Sequence, residues 1–359
     1  MERGTLRIGF VPLCDSAPLI VAKERGFFDE QGVSVTLSPE PSWANIRDKV
    51  AVGVLDAAQM LAPMVLSGRL GLGNVRVPLI TALVLNRGGN AVTLGQPLLD
   101  RLQAGESPAA GLLRLVGEER AAGRPPLRFA TVYPFSMHNY ELRWWLAQAG
   151  MDPDRDVTIV VVPPPNMVSQ LAADRIAGFC VGEPWNGLAL AMGLGRPVVT
   201  GRQIWPGRME KVLGVRQDWA LANADAHAAL LRSLLAACRW IDRAENRVET
   251  AEILARPGYL NAPLPVVRQA LEDPDVLTFH SDATNFPWRS QGLWILSQMR
   301  RWGQLPGGLD WRSTVEEAFR TDLFRDAARS LGLFCPDQDY RLEGDGRFDP
   351  RSIADGVID

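Results

Sequence analysis

Residues 5–60 read TLRIGFVPLCDSAPLIVAKERGFFDEQGVSVTLSPEPSWANIRDKVAVGVLDAAQM. Short apolar runs alternate here with segments of helical character that begin at serine and end at glycine, which are common start and stop residues of helices. The pattern predicts strand, helix, strand, helix and strand over Thr5–Val11, Ser16–Gly26, Val33–Leu37, Ser42–Gly53 and Val54–Met60. This order is typical of an α/β domain with a largely parallel sheet.

The same alternation returns further along the chain. Further strands are predicted over Leu79–Leu85, Arg128–Val132, Val157–Val162, Ile176–Val181, Pro197–Thr200 and Lys211–Val215. Helices are predicted over Leu98–Ala122, His138–Gly150, Asn166–Asp174, Ala226–Asn246, Thr250–Leu254, Pro265–Leu271, Ser290–Trp302 and Ser313–Leu331. Glycines in Asn86–Asn90 indicate a sharp turn. The predicted strand at Lys211 returns to the first lobe, so we expect two lobes. The first consists of residues 1–90 and 206–359, and the second of residues 91–205. The tail from Phe334 onward is polar and rich in glycine.

Composition narrows the class of protein. The 359 residues are 47% apolar and 22% charged, which are ordinary globular values, and the net charge of −3 argues against nucleic acid as a direct partner. No apolar run is long enough to span a membrane. The start MERGTLRIGF lacks the features of a secretory signal, so we expect a cytoplasmic protein, unless a leader has been removed. Four scattered cysteines without a CxxC pair suit reduced thiols, and we expect neither a metal nor a cofactor.

Ligands of such folds bind beyond the carboxyl ends of the strands, near helix N-termini. Trp43 and His138 each stand at the start of a predicted helix, and Lys211 stands at the start of the returning strand. Each residue also has an ordinary structural interpretation. Trp43 could be a core residue, His138 is as easily a core histidine as a donor, and Lys211 could be a solvated lysine.

Five ordered stretches resemble the nitrate- and bicarbonate-binding family of solute-binding proteins. They are GFVPLCDSAPLIVAKERGFFDEQG, PSWANIRDKVAVGVLDAAQMLAPM, RWWLAQAGMDPDRDV, VVVPPPNMVSQL and GFCVGEPWN. The resemblance covers roughly residues 5–220. It implies an α/β, two-lobed fold of the type 2 periplasmic-binding-protein kind, which closes on an oxyanion in the cleft between its lobes without chemistry.

The resemblance also implies a set of ligand-binding residues. Nitrate-binding members use a tryptophan, a histidine and a lysine at the positions of Trp43, His138 and Lys211. They also use a glutamine at the end of a first-lobe strand, where this chain has Asn90, with Gln96 nearby as the alternative. Nitrate offers only acceptor oxygens, so these side chains should act as donors, and whether His138 is protonated stays open. The bicarbonate branch implies an acidic, calcium-assisted site, against which Lys211 argues.

Residues around the cleft are expected to shape it rather than to bind. They are Pro63, Gly182 and Glu183, with Gln96 if it is not the fourth ligand. A carboxylate that faced an anion would repel it, so Glu183 is expected to be structural, or to orient a donor.

Two roles are compatible with the resemblance. Without a signal, the chain looks like the cytoplasmic nitrate/nitrite sensors of the NasS type, which hold an RNA-binding antiterminator of the NasT type inactive until the anion releases it. The alternative is the substrate-binding component of a nitrate ABC transporter. An enzyme on the same fold is disfavoured, because the sequence shows no Ser-His-Asp set, metal-ligand spacing or phosphate loop.

Overall fold

A computed structural model of the chain describes residues 4–73, 76–273 and 276–341. Residues 1–3 at the start of the predicted first lobe, and residues 342–359 of the predicted tail, lie outside these described residues. Within them the strands are β1 (Leu6–Phe10), β2 (Val35–Pro39), β3 (Ala57–Leu61), β4 (Leu79–Gly88), β5 (Asn90–Gly95), β6 (Arg128–Thr131), β7 (Thr158–Val161), β8 (Gly178–Gly182), β9 (Gly195–Thr200), β10 (Met209–Arg216) and β11 (Leu277–Thr278).

The helices account for most of the remaining described residues. They are α1 (Ala17–Glu24), α2 (Phe27–Glu30), α3 (Trp43–Ala51), α4 (Ala62–Leu70), α5 (Gln96–Leu99), α6 (Pro108–Ala121), α7 (Met137–Gln148), α8 (Met167–Ala172), α9 (Trp185–Ala191), α10 (Gly201–Ile204), α11 (Gln217–Ala222), α12 (Ala224–Ile241), α13 (Arg247–Leu254), α14 (Leu264–Glu272), α15 (Arg289–Arg301), α16 (Trp311–Ala318) and α17 (Thr321–Ser330). Short 3₁₀ turns occupy Cys14–Ser16, Pro164–Asn166 and Ala244–Asn246. None of the described helices has the length and apolar character that a bilayer crossing requires.

The strands form two separate sheets, one in each lobe. The first has the order β11-β4-β10-β3-β1-β2 and the second the order β7-β6-β8-β5-β9. Strands β1, β2 and β3 pair in parallel, as do β6, β7 and β8, which is the arrangement that the alternating sequence predicts. The strands that enter from the other lobe, β5 and β10, pair antiparallel. The two-lobed α/β fold is therefore confirmed, whereas the exact lobe boundaries stay a prediction.

The chain crosses between the sheets twice, from β4 to β5 and from β9 through α10 to β10. At the first crossing Gly88 and Gly89 have φ angles of +77° and +95°, a conformation that only glycine adopts without strain. The predicted turn at Asn86–Asn90 therefore reduces to these two glycines, and the strand β5 that begins at Asn90 was missed.

Two long predicted helices are broken in the structure. The segment predicted as Leu98–Ala122 contains the end of α5 and the whole of α6. A new helix begins at α6, because the side chain of Ser107 accepts the N–H of Ala110 and Pro108 occupies the first helical position. The segment Ser313–Leu331 is interrupted between α16 and α17. There the N–H of Arg320 bonds the carbonyl of Thr81 at 2.8 Å, so that the chain extends along β4 instead of remaining helical.

Apolar packing ties the two lobes together around the cleft. One core cluster joins residues of the first sheet and α3, including Val11 and Trp43, to second-lobe residues such as Ala130 and Met137. Backbone contacts also cross the gap, since the N–H of Cys14 donates to the carbonyl of Glu183 at 2.8 Å. The carboxyl ends of β1 and β8 therefore lie side by side.

Candidate functional site

Two helix starts face the cleft, one from each lobe. Ser42 caps α3 by accepting the N–H of Asn45 at 3.2 Å, and Ser136 caps α7 by accepting the N–H of Asn139 at 3.1 Å. These caps place Trp43 at the first position of α3 and His138 at the second position of α7. The sequence prediction that both residues stand in the first turn of a helix is correct.

Lys211 is the charged centre of the cluster. Its side chain is fully buried, and its Nζ lies 2.7 Å from Oδ2 of Asp15 and 2.8 Å from Oε1 of Glu210. Burial alone would lower the pKa of Lys211, but the two carboxylates outweigh this effect and raise the pKa above its usual value. Lys211 is therefore an ammonium ion at neutral pH, and the interpretation of Lys211 as a solvated lysine is wrong.

A β-bulge explains how two neighbouring residues reach the same site. Successive side chains of a regular strand point to opposite faces, yet Glu210 and Lys211 are both buried and contact each other. The pairing of β10 with β4 shifts register on both sides of Lys211, and Oδ1 of Asn86 accepts the Lys211 N–H at 3.2 Å. A bulge of this kind re-aims side chains, and here it brings both residues into the cluster.

His138 is a neutral imidazole in this environment. Its side chain is fully buried, with Nδ1 3.5 Å from Oε1 of Glu210, and neither ring nitrogen makes a hydrogen bond with a described residue. Burial, and then the charge of Lys211, hold the pKa of His138 well below its usual value. Of the two forms that the sequence left open, the structure favours the neutral donor.

Trp43 combines the two interpretations that the sequence offered. The residue is fully buried within the same apolar cluster as Ile46 and Val50. Its ring centroid lies 5.5 Å from Nζ of Lys211, and its Nε1 has no hydrogen-bond partner among the described residues. A buried indole N–H normally finds a partner, so Trp43 adds an available donor beside the lysine.

Asn90 lies in the cluster, but its amide group is already engaged. It is the first residue of β5, and its Nδ2 donates to Oε2 of Glu141 at 3.0 Å. Its Oδ1 has no hydrogen-bond partner among the described residues. In this orientation Asn90 presents an acceptor, whereas the family resemblance implies a donor.

Gln96 does not belong to the site, which corrects its assignment both as a ligand and as a residue lining the cleft. It begins α5 beyond the far end of β5, six residues and thus about 20 Å from Asn90 along an extended strand. Its side chain is exposed and donates to Oδ1 of Asp100 at 2.7 Å.

The other predicted lining residues take distinct positions. An added Cβ at Gly182 would lie 3.3 Å from Oδ2 of Asp15 and 3.5 Å from Oδ1 of Asn90, so Gly182 borders the cluster. Glu183 follows it, and its Oε2 accepts the N–H of Gly187 at 3.1 Å while burial raises its pKa to about 7. Its side chain is thus held by its own helix start.

Pro63 is buried in the first turn of α4. That turn follows Leu61, the residue of β3 that pairs with Lys211. A place for Pro63 at the cleft itself stays a prediction.

Three acidic residues of the cluster were missed by sequence reasoning. Asp15 accepts Nε2 of Gln59 at 2.5 Å, Glu210 precedes Lys211, and Glu141 lies one helical turn after His138. Each stands next to a predicted element or residue, which was the available signal. Their role was not predicted, because only the three-dimensional contacts bring them together.

A cavity of about 170 Å³ adjoins the cluster at the two crossings. Its lining includes Glu141 and Glu210 together with Arg87, Arg202 and Arg208. Over the described residues no group of three or more His, Cys, Asp and Glu side chains has the arrangement needed to hold a metal ion.

Comparison with known proteins identifies the relatives of the chain. A model of the NMT1-like family matches residues 1–255. The chain is 39% identical to the nitrate import ATP-binding protein NrtC of Synechocystis sp., and 38% identical to the bicarbonate transport ATP-binding protein CmpC of the same organism. Both matches cover 100% of this chain but only 54% and 53% of the relatives, so the chain spans about half the length of these curated proteins.

A solved structure matches over nearly its whole length. The crystal structure of the periplasmic nitrate-binding protein NrtA from Synechocystis superposes with a TM-score of 0.89 at 31% identity. The match covers 95% of this chain and 93% of that one. The overlap spans both lobes and the cleft between them.

Proposed function

The chain belongs to the NMT1-like family, and from this premise we propose that it binds nitrate or nitrite reversibly in the cleft between its lobes. The observation that carries the proposal is the buried ammonium of Lys211, beside the available N–H of Trp43 and the neutral ring of His138. A planar monovalent anion needs one positive charge and donors in different directions, and both lobes contribute to this set. The name of the solved relative, a nitrate-binding protein, supports the same ligand.

We propose binding without catalysis. The residues of the cluster form ion pairs and hydrogen bonds with one another, and none of them forms a nucleophile–base pair. A micromolar affinity requires about 8 kcal/mol, which a few charge-assisted hydrogen bonds in a closed cleft can supply.

The role that the relatives support best is that of a binding component of a nitrate import system. The chain covers 93% of the crystallised chain of NrtA, a protein described as a periplasmic nitrate-binding protein. In this role, closure of the lobes on the anion creates the surface that a transporter recognises.

A second candidate is a cytoplasmic nitrate/nitrite sensor that controls a NasT-like antiterminator. The observation behind it is that the chain is also 39% identical over 54% of a protein named as a nitrate import ATP-binding protein, so its relatives are not limited to separate binding components. In this role the anion shifts the lobes towards the closed state, and the partner binds the open state. Addition of nitrate to a purified complex with the antiterminator would then dissociate it, whereas a complex unchanged at saturating nitrate excludes this role.

Isothermal titration calorimetry with nitrate and nitrite tests the binding itself. The folded protein should bind at least one of the two anions at a single site. Lys211→Ala should abolish the heat, and Lys23→Ala, at an exposed lysine near the end of α1, should leave it unchanged. Absence of heat with either anion, from protein that is folded by circular dichroism, refutes the proposal.

A further inference from the structure

The amide of Asn90 and the carboxyl of Glu141 form a buried pair whose two members depend on each other. Nδ2 of Asn90 lies 3.0 Å from Oε2 of Glu141, so the amide turns its donor towards the acid. Its Oδ1 lies beside Gly182, 3.5 Å from the position of an added Cβ there, and has no hydrogen-bond partner among the described residues. An asparagine can present either a donor or an acceptor to a ligand, and its hydrogen-bond network decides which.

Nitrate requires the opposite orientation of this amide. The anion has only acceptor oxygens, so Oδ1 of Asn90 would repel it and the NH₂ group would bind it. Reversal of the amide would place Oδ1 of Asn90 against Oε2 of Glu141, with two acceptors at hydrogen-bond distance. This contact is favourable only when Glu141 is protonated and its O–H donates to the amide oxygen.

The surroundings of Glu141 show that it is the acid which accepts this proton. Burial also raises the pKa of Glu210 and of Asp15, and the Asn90 amide also acts on Glu210. Unlike Glu141, however, both acids have a directly bound cation, because Nζ of Lys211 lies 2.8 Å from Glu210 and 2.7 Å from Asp15. Glu141 is buried, and its hydrogen-bond partners among the described residues are the Asn90 amide and, at 3.8 Å, the thiol of Cys180. A buried carboxylate without a directly bound cation is costly, so of these three acids Glu141 is the one that takes up a proton most readily.

Charged and titratable groups face Glu141 from several elements. β10 contributes Glu210 and Lys211, β8 contributes Cys180, and α10 closes the other side, where an added Cβ at Gly201 would lie 2.6 Å from Oε1. Arg87, Arg202 and Arg208 line the adjoining cavity, and each has a partner of its own. Burial, and then the charge of Glu210, raise the pKa of Glu141 to about 8, near physiological pH.

We propose that Glu141 is a positioning residue whose protonation sets the orientation of the Asn90 amide and thereby selects the ligand, an inference that rests on the proposed binding of nitrate. Protonated Glu141 turns the NH₂ group of Asn90 to the cleft for an oxyanion without a proton, such as nitrate. Ionised Glu141 turns Oδ1 to the cleft, where it accepts from an oxyanion that carries its own proton, such as bicarbonate. Nitrate therefore binds with the uptake of one proton once Glu141 is ionised.

Calorimetry with nitrate as the probe tests this coupling. In the wild type the affinity should fall by roughly thirtyfold between about pH 7 and about pH 9.5, because one proton changes an equilibrium tenfold per pH unit above the pKa. Near pH 9 the binding enthalpies measured in Tris and in triethanolamine should differ by the difference between the ionisation enthalpies of the two buffers, multiplied by an uptake of nearly one proton. Glu141→Gln, which supplies a permanent donor, should bind nitrate with a flat pH profile and without proton uptake.

Two further measurements distinguish Glu141 from the neighbouring buried acids as the source of the proton uptake. Glu183→Gln alters another buried acid with a raised pKa but has no contact with Asn90, and it should retain the proton uptake. At pH 8.5 the ratio of nitrate to bicarbonate affinity should be higher in Glu141→Gln than in the wild type. Proton uptake that is absent in the wild type, lost in Glu183→Gln or retained in Glu141→Gln overturns the inference, although nitrate binding would stand. Folded protein that binds nitrate at no pH refutes the proposed function itself.

Discussion

The two halves of the cleft differ in how they carry charge. The half built on the first sheet contains the ammonium of Lys211, held by Asp15 and Glu210 at ion-pair distance. The half built on the second lobe contributes a neutral imidazole and an amide, at His138 and Asn90. The ammonium that an anion can contact therefore lies in the first lobe, where two carboxylates hold it and offset its charge, whereas the neutral imidazole and the amide come from the other lobe. Substitution of Lys211 should have the largest effect on binding, and substitutions of the neutral donors in either half should weaken or retune it.

The largest effect is expected for Lys211→Ala. Loss of one partner of a buried charged contact costs about 2–5 kcal/mol, so nitrate affinity should fall roughly 30-fold or more. The two carboxylates left without a cation should also lower the free energy of unfolding, by about 3–5 kcal/mol. Calorimetry and urea unfolding measure the two losses.

A double variant separates charge from folding. Asp15→Asn with Lys211→Met removes one acid together with the ammonium, and it should recover part of the stability without recovering nitrate binding. A double variant that binds nitrate as tightly as the wild type would show that the positive charge is not the source of affinity.

A smaller loss is expected for His138→Leu, roughly tenfold in nitrate affinity, since one neutral hydrogen bond in a buried site is lost. Burial, and then the charge of Lys211, hold the pKa of His138 well below its usual value, so the ring is neutral across the range in which an unperturbed histidine titrates. Affinity should therefore stay level as pH rises from about 5.5 to about 7, whereas a protonated ring would make it fall over that range. His138→Gln, which retains a neutral donor, should bind more tightly than His138→Leu; equal losses would exclude a donor role.

Trp43→Phe should cost less again, about threefold in affinity. The variant retains an aromatic face near Lys211 and removes only the Nε1–H group, which has no partner among the described residues. Trp219→Phe is a matched control, because Trp219 is a buried tryptophan of the first lobe in another core cluster. A loss of affinity of the same size in Trp219→Phe would mean that the effect of Trp43→Phe is one of packing.

Sequence reasoning found the parts of the site that lie at the ends of regular elements. Trp43 and His138 stand in the first turns of capped helices, and Lys211 lies in a strand of apolar character, so local patterns placed them on these elements. Only the family resemblance singled them out as ligands. The acids could not be found in this way, because the proximity of Asp15 and Glu210 to Lys211 depends on a bulge and on a crossing between lobes. Similarly, the role of Glu141 depends on its hydrogen bond with Asn90, which lies 51 residues earlier in the chain, so no local pattern could indicate it.

Because strand β5 was not predicted, Gln96 was wrongly placed near Asn90. Its true position makes Gln96→Ala the substitution with the smallest expected effect on nitrate affinity. When residues 86–90 are read as a turn that ends in a loop, Asn90 and Gln96 are near neighbours. Once residues 90–95 form a strand, the two lie at opposite ends of it. Gln96→Ala should therefore change nitrate affinity by less than about twofold, as expected for a surface substitution. Asn90→Ala should weaken binding several-fold, because it removes a buried hydrogen-bonding group from the second half of the cleft. If Gln96→Ala had the larger effect, the far end of β5 would belong to the site, and the division of the cleft into a charged half and a neutral half would fail.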